Sequence, residues 1–151
     1  MRKILLLTCL IFLSLVTASA QNVDTLMNEA KRLSEQNHPA EAALIFEKIV
    51  EIDAQNYESL AFLGNYNYLL GKQMIDKMEA DYKTISQPNR MQIAHYQDEL
   101  KRIYDLYYEK ADRYLMKALR VRGNDHLNKL IQSIQTFREK IELLSVKPKK
   151  K

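Results

Sequence analysis

The sequence is poor in the residues that cross-link a chain or divide it into short strands. Its 151 residues include one Cys, no Trp, three Gly and three Pro. A single Cys supplies neither an internal disulfide nor a structural zinc site. The shortage of Gly and Pro leaves little material for hairpin turns, which argues against an all-β fold. The length fits one domain, so we expect an all-α domain without covalent cross-links.

Residues 1–20 have the pattern of an export signal. Arg2 and Lys3 precede a largely apolar run of thirteen residues, and a group of small residues ends at Ala20, as at a signal-peptidase site. Thirteen residues of helix rise only about 20 Å, which is short of the roughly 30 Å core of a bilayer. We therefore favour cleavage before Gln21 over a retained anchor. The mature chain is predicted to be exported, either periplasmic or secreted, without stable membrane insertion.

Positive charge is concentrated at the two ends of the chain. The net charge of +4 falls to +2 without the signal, and to −2 when the four lysines of residues 147–151 are also left out. These last residues have no apolar partner, so we predict a disordered basic tail. The remaining body has no basic face, and a nucleic-acid partner is not expected.

Between the signal and the tail, residues 21–146 are predicted to form one helical domain. Five segments have helical hydrophobic periodicity, with approximate bounds 22–36, 39–53, 57–85, 89–122 and 125–144. Because the link between the first two is only two or three residues long, we predict that they form an antiparallel pair. In the third segment the apolar stripe continues through Gly71 without losing phase, which predicts one long helix that bends there.

The predicted ends of these segments carry residues that are typical of helix caps. Asn37 tolerates the left-handed conformation that ends a helix, and Pro39 suits the first turn of the next helix. Asn56 and Asn124 are N-cap candidates. Gly123 stands where a C-cap glycine is expected.

Two short motifs resemble the tetratricopeptide repeat (TPR), a pair of antiparallel helices with small and large residues at fixed packing positions. Leu60, Leu63 and Gly64 match the first helix of a repeat, and Ala42 and Phe46 match the second helix of the preceding repeat. Small residues at such positions let neighbouring helices approach, and the aromatic ring fills the space between layers. The resemblance implies a TPR-like α-solenoid of antiparallel helical hairpins.

The second half of the second repeat lies 35 residues later than the pattern requires, at Ala111, Leu115 and Ala118. An insertion at the tip of an antiparallel hairpin must lengthen both legs, here by about 26 Å each. We therefore predict a long two-helix arm over about residues 72–110, with its tip at 86–90. The fifth segment would then be a C-terminal capping helix.

The resemblance also implies a concave binding surface, which the first helix of each repeat lines in TPR proteins. The implied residues include Lys31 in the first repeat, and they are Glu58, Ala61, Asn65 and Tyr68 in the second. We regard these residues as candidates for contact with a protein or peptide partner.

The nine tyrosines indicate a second candidate surface, since all of them lie within residues 57–114. Tyr107 and Tyr114 fall on the packing stripe of the fourth segment and are predicted to be core residues. Tyr104 and Tyr108 flank that stripe, and exposed tyrosines suit binding surfaces because they offer a large area at low entropic cost. The alternative is that both lie at the edge of a narrow two-helix core.

The sequence contains no recognisable catalytic motif: no Gly-rich phosphate loop, no nucleophile elbow and no zincin motif. The three histidines are dispersed, and the pair His95 and Glu99 provides too few ligands for a metal site. We expect a non-catalytic interaction module with a protein or peptide partner and with no cofactor or metal. The alternatives are a small-ligand or glycan binder that uses the tyrosines, and a structural subunit that forms homo-oligomers.

Overall fold

The computed structural model describes residues 22–145, and this part of the chain is helical without any strand. The all-α prediction is confirmed. The predictions for the signal (residues 1–20) and the tail (residues 147–151) lie outside the described residues. The helices are α1 over residues 22–35, α2 Pro39–Ile52, α3 Tyr57–Lys83, α4 Arg90–Ile103, a π-helical segment Tyr104–Tyr108, α5 Glu109–Val121 and α6 Asp125–Ser145.

Packing divides the chain into two compact units, with the boundary between Ser59 and Leu60. The first unit contains α1 and α2. The second contains most of α3 and all of the later helices.

The link between α1 and α2 ends the first helix through a left-handed residue. Asn37 has a φ of 62°. The N–H of His38 donates to the carbonyl of Leu33 at 2.9 Å, and the N–H of Asn37 donates to the carbonyl of Ser34 at 3.1 Å. This is the Schellman arrangement. Pro39 then occupies the first residue of α2, so both predictions for this link are confirmed.

The core of the first unit is formed by one face of α2 and by Ala30 of α1. Ala30 and Ala42 are fully buried, and the ring of Phe46 is only 3% exposed. Leu44, two residues before Phe46, is 61% exposed on the opposite side of α2. The small and large positions that resemble a TPR helix are therefore core positions, as predicted.

In the second unit, α3 lies antiparallel to a second leg that consists of α4, the π segment and α5. The facing pairs, from the tip of the hairpin downward, are Tyr82 with Tyr96, Gly71 with Tyr108, and Gly64 with Leu115. At the tip, Asn89 caps α4 through a capping box, in which its side chain and that of Gln92 each accept the other's backbone N–H at 2.9 Å. The two legs thus run side by side from the tip to Gly64.

Two glycines allow the legs to approach closely. A Cβ atom on Gly64 would lie 2.6 Å from Cγ and Cδ2 of Leu115 and 3.2 Å from its backbone N. A Cβ atom on Gly71 would lie 2.7 Å from Cε2 of Tyr108. Because real Cβ atoms are essentially never found closer than 3.0 Å to another heavy atom, any larger residue at either position would have to displace Leu115 or Tyr108.

The π segment inserts one residue into the second leg. From Tyr82 to Gly71 is eleven residues along α3, whereas from Tyr96 to Tyr108 is twelve along the other leg. Below the π segment the legs stay in step, since Gly64 and Leu115 are each seven residues further on. A single π turn absorbs one extra residue in this way.

This insertion corrects the prediction for the tyrosines of the fourth segment. The buried positions Ile103 and Tyr108 are five residues apart, instead of the three or four that a regular helix gives. Tyr108 therefore takes the core position that regular α-helical phase assigns to Tyr107, and Tyr107 is only half-buried.

Helix α6 supplies a third layer to the second unit. Its buried residues are Leu127, Leu130, Ile131 and Ile134. Its next turns bring Phe137 against the rings of Tyr104 and Tyr108 and Lys140 to within 3.4 Å of Glu79 on α3. The predicted arm is therefore not two helices deep throughout, because α6 covers part of its length.

The link before α6 confirms one predicted cap and corrects another. The side chain of Asn124 accepts a hydrogen bond from the N–H of Leu127 at 3.2 Å, as an N-cap does. Gly123 does not adopt the left-handed conformation expected of a C-cap glycine, because its φ is not positive. Instead, α5 ends at Arg122 in an extended conformation.

Candidate functional site

The residues implied by the TPR resemblance are found on α1 and α3. In the first unit, Lys31 and Glu58 form an ion pair at 3.0 Å, with both side chains exposed. In the second unit, Ala61, Asn65 and Tyr68 are half-buried and lie on one face of α3, at spacings of four and three residues. Lys31 and Glu58 satisfy one another, so neither charge is left unpaired for a ligand.

Tyr108 belongs to the core and is not presented to a partner. It is 5% exposed, and its ring contacts Tyr68 edge-on at 5.5 Å and Phe137 at 5.0 Å between centroids. Burial raises the pKa of Tyr108, since the phenolate is disfavoured away from water. The proposal of Tyr108 as a binding residue is thereby corrected.

Tyr104 lies at the edge of this aromatic cluster and is only half-buried. Its ring stacks on Tyr108 at 6.4 Å with an interplanar angle of 11°. Burial raises the pKa of Tyr104, and the nearby guanidinium of Arg138 opposes that change. Tyr104 therefore keeps an accessible edge, as the sequence prediction requires.

The hairpin carries an apolar cleft near its tip, between α3 and α4, with a volume of about 340 Å³. We call it the arm cleft. Its apolar lining consists of Met74, Met78, Tyr82, Ile85, Tyr96 and Ile103. Sequence reasoning assigned most of these residues to packing stripes, and it missed the cleft. The available signal was the pair of methionines one turn apart, because Met fills irregular and adaptable surfaces.

Charged groups at the rim of the arm cleft have both signs. Lys77, Asp81, His95 and Glu99 lie around it. Glu99 accepts a hydrogen bond from Arg102 at 2.7 Å, and this bond lowers the pKa of the Glu99 carboxyl. Within residues 22–145, no three His, Cys, Asp or Glu side chains converge as metal ligands would.

A second pocket, of about 510 Å³, lies between α6 and the leg formed by α4, the π segment and α5. We call it the polar pocket. Three ion pairs line it: Lys101 with Asp105 at 2.5 Å, Arg113 with Glu109 at 3.6 Å, and Arg138 with Glu142 at 3.1 Å. Tyr104, Asp112 and Ile141 complete the lining.

Asp112 is the unusual member of the polar pocket. Its Oδ1 atom is buried and accepts no hydrogen bond from any described residue. Burial raises the pKa of the Asp112 carboxyl, and the nearby charge of Arg138 lowers it by less. Sequence reasoning missed Asp112, because one Asp on a polar helix face is no different in sequence from a solvated one.

The described helices do not include a membrane-spanning candidate: none of them is both long and apolar enough to cross a bilayer.

Comparison with known proteins relates the chain to a solved structure. No protein-family model matches the chain, and no curated protein is significantly similar to it. The chain is similar to a solved structure from Bacteroides ovatus ATCC 8483 described as a "putative protein binding protein". The sequences are 33% identical with a TM-score of 0.75, over 79% of this chain and 58% of the Bacteroides chain. The similarity therefore spans little more than half of that protein's length, and it shows a shared helical fold.

Proposed function

We propose that the chain is an exported, non-catalytic protein-interaction module that binds a protein partner in the arm cleft. The observation that carries this proposal is an apolar cleft left open between two helices, with Met74 37% exposed at its edge. Clefts of this size that are lined by apolar and aromatic side chains are the usual form of a binding site. The description of the Bacteroides protein as protein-binding supports the same class of function.

The chemistry of the cleft favours an apolar helix or segment of a protein as its occupant. Methionines adapt their shape to a bound apolar surface, and an amphipathic helix places anchors at one-turn intervals into such a groove. The rim charges of both signs, Lys77 and Asp81 among them, match the mixed polar edge of a protein partner.

The TPR-like organisation is part of the proposal. Its support is the packing of Gly64 against Leu115, which pairs the first helix of the second repeat with the displaced second helix. The buried Ala42 and Phe46 of α2 give similar support for the preceding repeat.

Affinity capture from the native envelope with the tagged protein tests the function, and two matched variants locate the surface. Met74→Lys adds a charge at the edge of the arm cleft, whereas Met116→Lys adds the same charge on α5, outside the cleft. These methionines are 37% and 40% exposed, so neither variant is expected to unfold the chain. We expect Met74→Lys to lose the captured partner and Met116→Lys to retain it.

Equal capture by both variants would remove the arm cleft from the proposal. If the species captured is a second copy of this chain, and sedimentation shows concentration-dependent association that Met74→Lys abolishes, the homo-oligomeric alternative replaces it.

A further inference from the structure

The polar pocket takes no part in the proposed function, and its charges do not balance. Six of its charged residues form the three ion pairs described above. Asp112 is left over, so the lining as a whole carries one uncompensated negative charge. An unpaired and partly buried carboxylate is destabilising unless a donor or a cation satisfies it.

We propose that the polar pocket binds a single cationic nitrogen group, a guanidinium or an ammonium, with the Asp112 carboxylate as its anchor. Such a group supplies both of the things that Asp112 lacks, a positive charge and N–H donors. Rotation of the carboxylate about χ2 is soft, so either oxygen is able to face the entering donor.

The neighbouring cation, Arg138, does not satisfy the Asp112 carboxylate. The Nε of Arg138 donates a hydrogen bond to the carboxylate of Glu142 at 3.1 Å, so this guanidinium already has an acidic partner. Arg138 is close enough to lower the pKa of Asp112, but Oδ1 of Asp112 still accepts no hydrogen bond from a described residue.

The other walls of the pocket suit a cation on an aliphatic stem. The half-buried ring of Tyr104 lines it, and a tyrosine ring attracts a guanidinium or an ammonium. Ile141 provides an apolar surface on the α6 side, against which the methylene groups of Lys or Arg pack well.

The π segment helps to form the polar pocket. It contributes Tyr104 and Asp105 to the lining, and Asp112 follows one helical turn after its end. A π turn rotates the residues on either side of it relative to a regular helix, and π turns are frequent at functional sites for this reason.

The cation has two candidate sources, a Lys or Arg side chain of a protein and a free small amine. Assigning the cation to a side chain of a protein partner rests on the proposed function, whereas the existence of the cation site does not. A side chain carries its cationic group within a peptide backbone, whereas a free amine does not. Peptide and free amino-acid probes therefore distinguish the two sources.

The test titrates the protein with N-acetyl-arginine amide and, as a neutral probe of the same shape, N-acetyl-citrulline amide. The readout is the NMR signal of the Asp112 carboxyl carbon. We expect the arginine probe to shift this signal and to lower the apparent pKa of Asp112, and the citrulline probe to do neither. This measurement on the unaltered protein does not depend on any variant folding. An Asp112 signal that ignores the arginine probe overturns the proposal.

Two variants locate the site. Asp112→Asn should weaken binding of the arginine probe by about ten- to a hundredfold, as expected for the loss of a charge-assisted hydrogen bond. Asp98→Asn removes the same charge from the exposed surface of α4, outside both pockets, and should leave binding unchanged. Equal weakening by both variants would mean that the probe responds only to net charge, which also overturns the proposal.

Two further probes identify the source. A Gly-Gly-Arg-Gly-Gly peptide that binds at least as well as the blocked amino acid indicates a protein side chain. Binding of free arginine but not of the peptide indicates a small amine instead. If the arginine probe binds at Asp112 while affinity capture finds no partner, the protein-interaction proposal fails and the cation site stands. If affinity capture finds a partner while the arginine probe does not bind, the cation site fails and the protein-interaction proposal stands.

Discussion

At the scale of single residues, the close packing of the second unit depends on Gly64. We predict that Gly64→Ala lowers the free energy of unfolding by about 1–3 kcal/mol, because the new Cβ meets both the side chain and the backbone N of Leu115. The better helix propensity of Ala, worth about 1 kcal/mol, offsets only part of this loss. Chemical denaturation measures the change.

The matched control is Gly123→Ala, where a Cβ would have nothing within 4 Å and the φ of the glycine is not positive. Its stability should stay within about 0.5 kcal/mol of the parent. If both variants behave alike, the legs of the hairpin are further apart than the structure places them.

Asp112 gives a prediction about pH. A carboxyl group with a raised pKa in the folded state binds its proton more tightly there than in the unfolded chain. Folding stability therefore falls as pH rises from the ordinary Asp pKa through the raised one. Because burial raises the pKa of Asp112, Asp112→Asn should be more stable than the parent protein at neutral pH, and this advantage should vanish in acid.

Denaturation curves at several pH values, with Asp98→Asn as the control for lost charge, measure this difference. An Asp112→Asn protein that is less stable at neutral pH would show that the carboxylate is satisfied within the folded chain. That result would also weaken the inferred cation site, since the site depends on an unsatisfied Asp112.

Single residues were predictable where their role is local. Asn37, Asn56 and Asn124 cap helices in the structure, because capping is decided by a few neighbouring backbone groups. Asp112 was not predictable, because the pocket that it lines also includes residues of α6, from a distant part of the sequence. Gly123 is an exception among the local predictions. The residue before it, Arg122, is already extended and ends α5, so the glycine is not needed in a left-handed conformation.

At the scale of elements, the π segment makes a prediction about deletions. Removing Leu106, which is 53% exposed, should turn the π turn into a regular helical turn and leave the buried stripe on both sides in phase. We expect the variant to unfold cooperatively, with its free energy of unfolding within about 2 kcal/mol of the parent. It should also lose binding in the polar pocket, whose lining includes two residues of the π segment.

Deletion of Arg113 is the control, since this residue is also exposed but lies in regular helix. Its removal rotates Leu115 and Ala118 out of the core by about 100°, so the variant should be far less stable. If the two deletions destabilise equally, the π segment does not contain a spare residue.

The π segment explains why the buried residues of the fourth segment do not follow one helical phase. Leu100 and Ile103 follow one helical phase, whereas Tyr108, Ala111 and Leu115 follow another. A regular α-helix has one phase, so it would have to turn the side chains of one of the two groups away from the core. The sequence contained this conflict, but hydrophobic periodicity alone does not show whether a chain resolves it with a bend, a break or a π turn.

The hairpin itself is tested by one distance. Spin labels at Lys77 on α3 and Lys101 on α4 should lie within about 20 Å, because packed antiparallel helices are about 8–10 Å apart between axes. A single straight helix would separate them by about 36 Å. The longer distance would remove the arm cleft together with the hairpin that forms it.

At the scale of the whole molecule, composition decided the fold class and left the function open. The low Gly and Pro content predicted helices, and the described chain is helical. The polar pocket was beyond reach, since it combines residues of α6 with residues of an earlier leg whose contacts no single segment specifies. The arm cleft was missed even though the hairpin that forms it was predicted. Lys31 and Glu58, both carried over from the TPR resemblance, pair with one another, which directs attention to the cleft instead.

The proposed export gives a prediction for the full-length chain. In the small-x-small pattern that a signal peptidase accepts, the outer positions must be small and the middle position is free. Ala18 and Ala20 occupy the outer positions, and Ser19 occupies the middle one. Ala20→Arg should therefore block processing, whereas Ser19→Arg, which adds the same charge one residue earlier, should still yield a chain that begins at Gln21.

Mass spectrometry of the protein from its native cell distinguishes these outcomes. Processing of both variants, or of neither, would mean that the site lies elsewhere. Recovery of the unaltered protein with Met1 retained would remove the export proposal. The partner captured through the arm cleft would then have to be sought inside the cell instead of in its envelope.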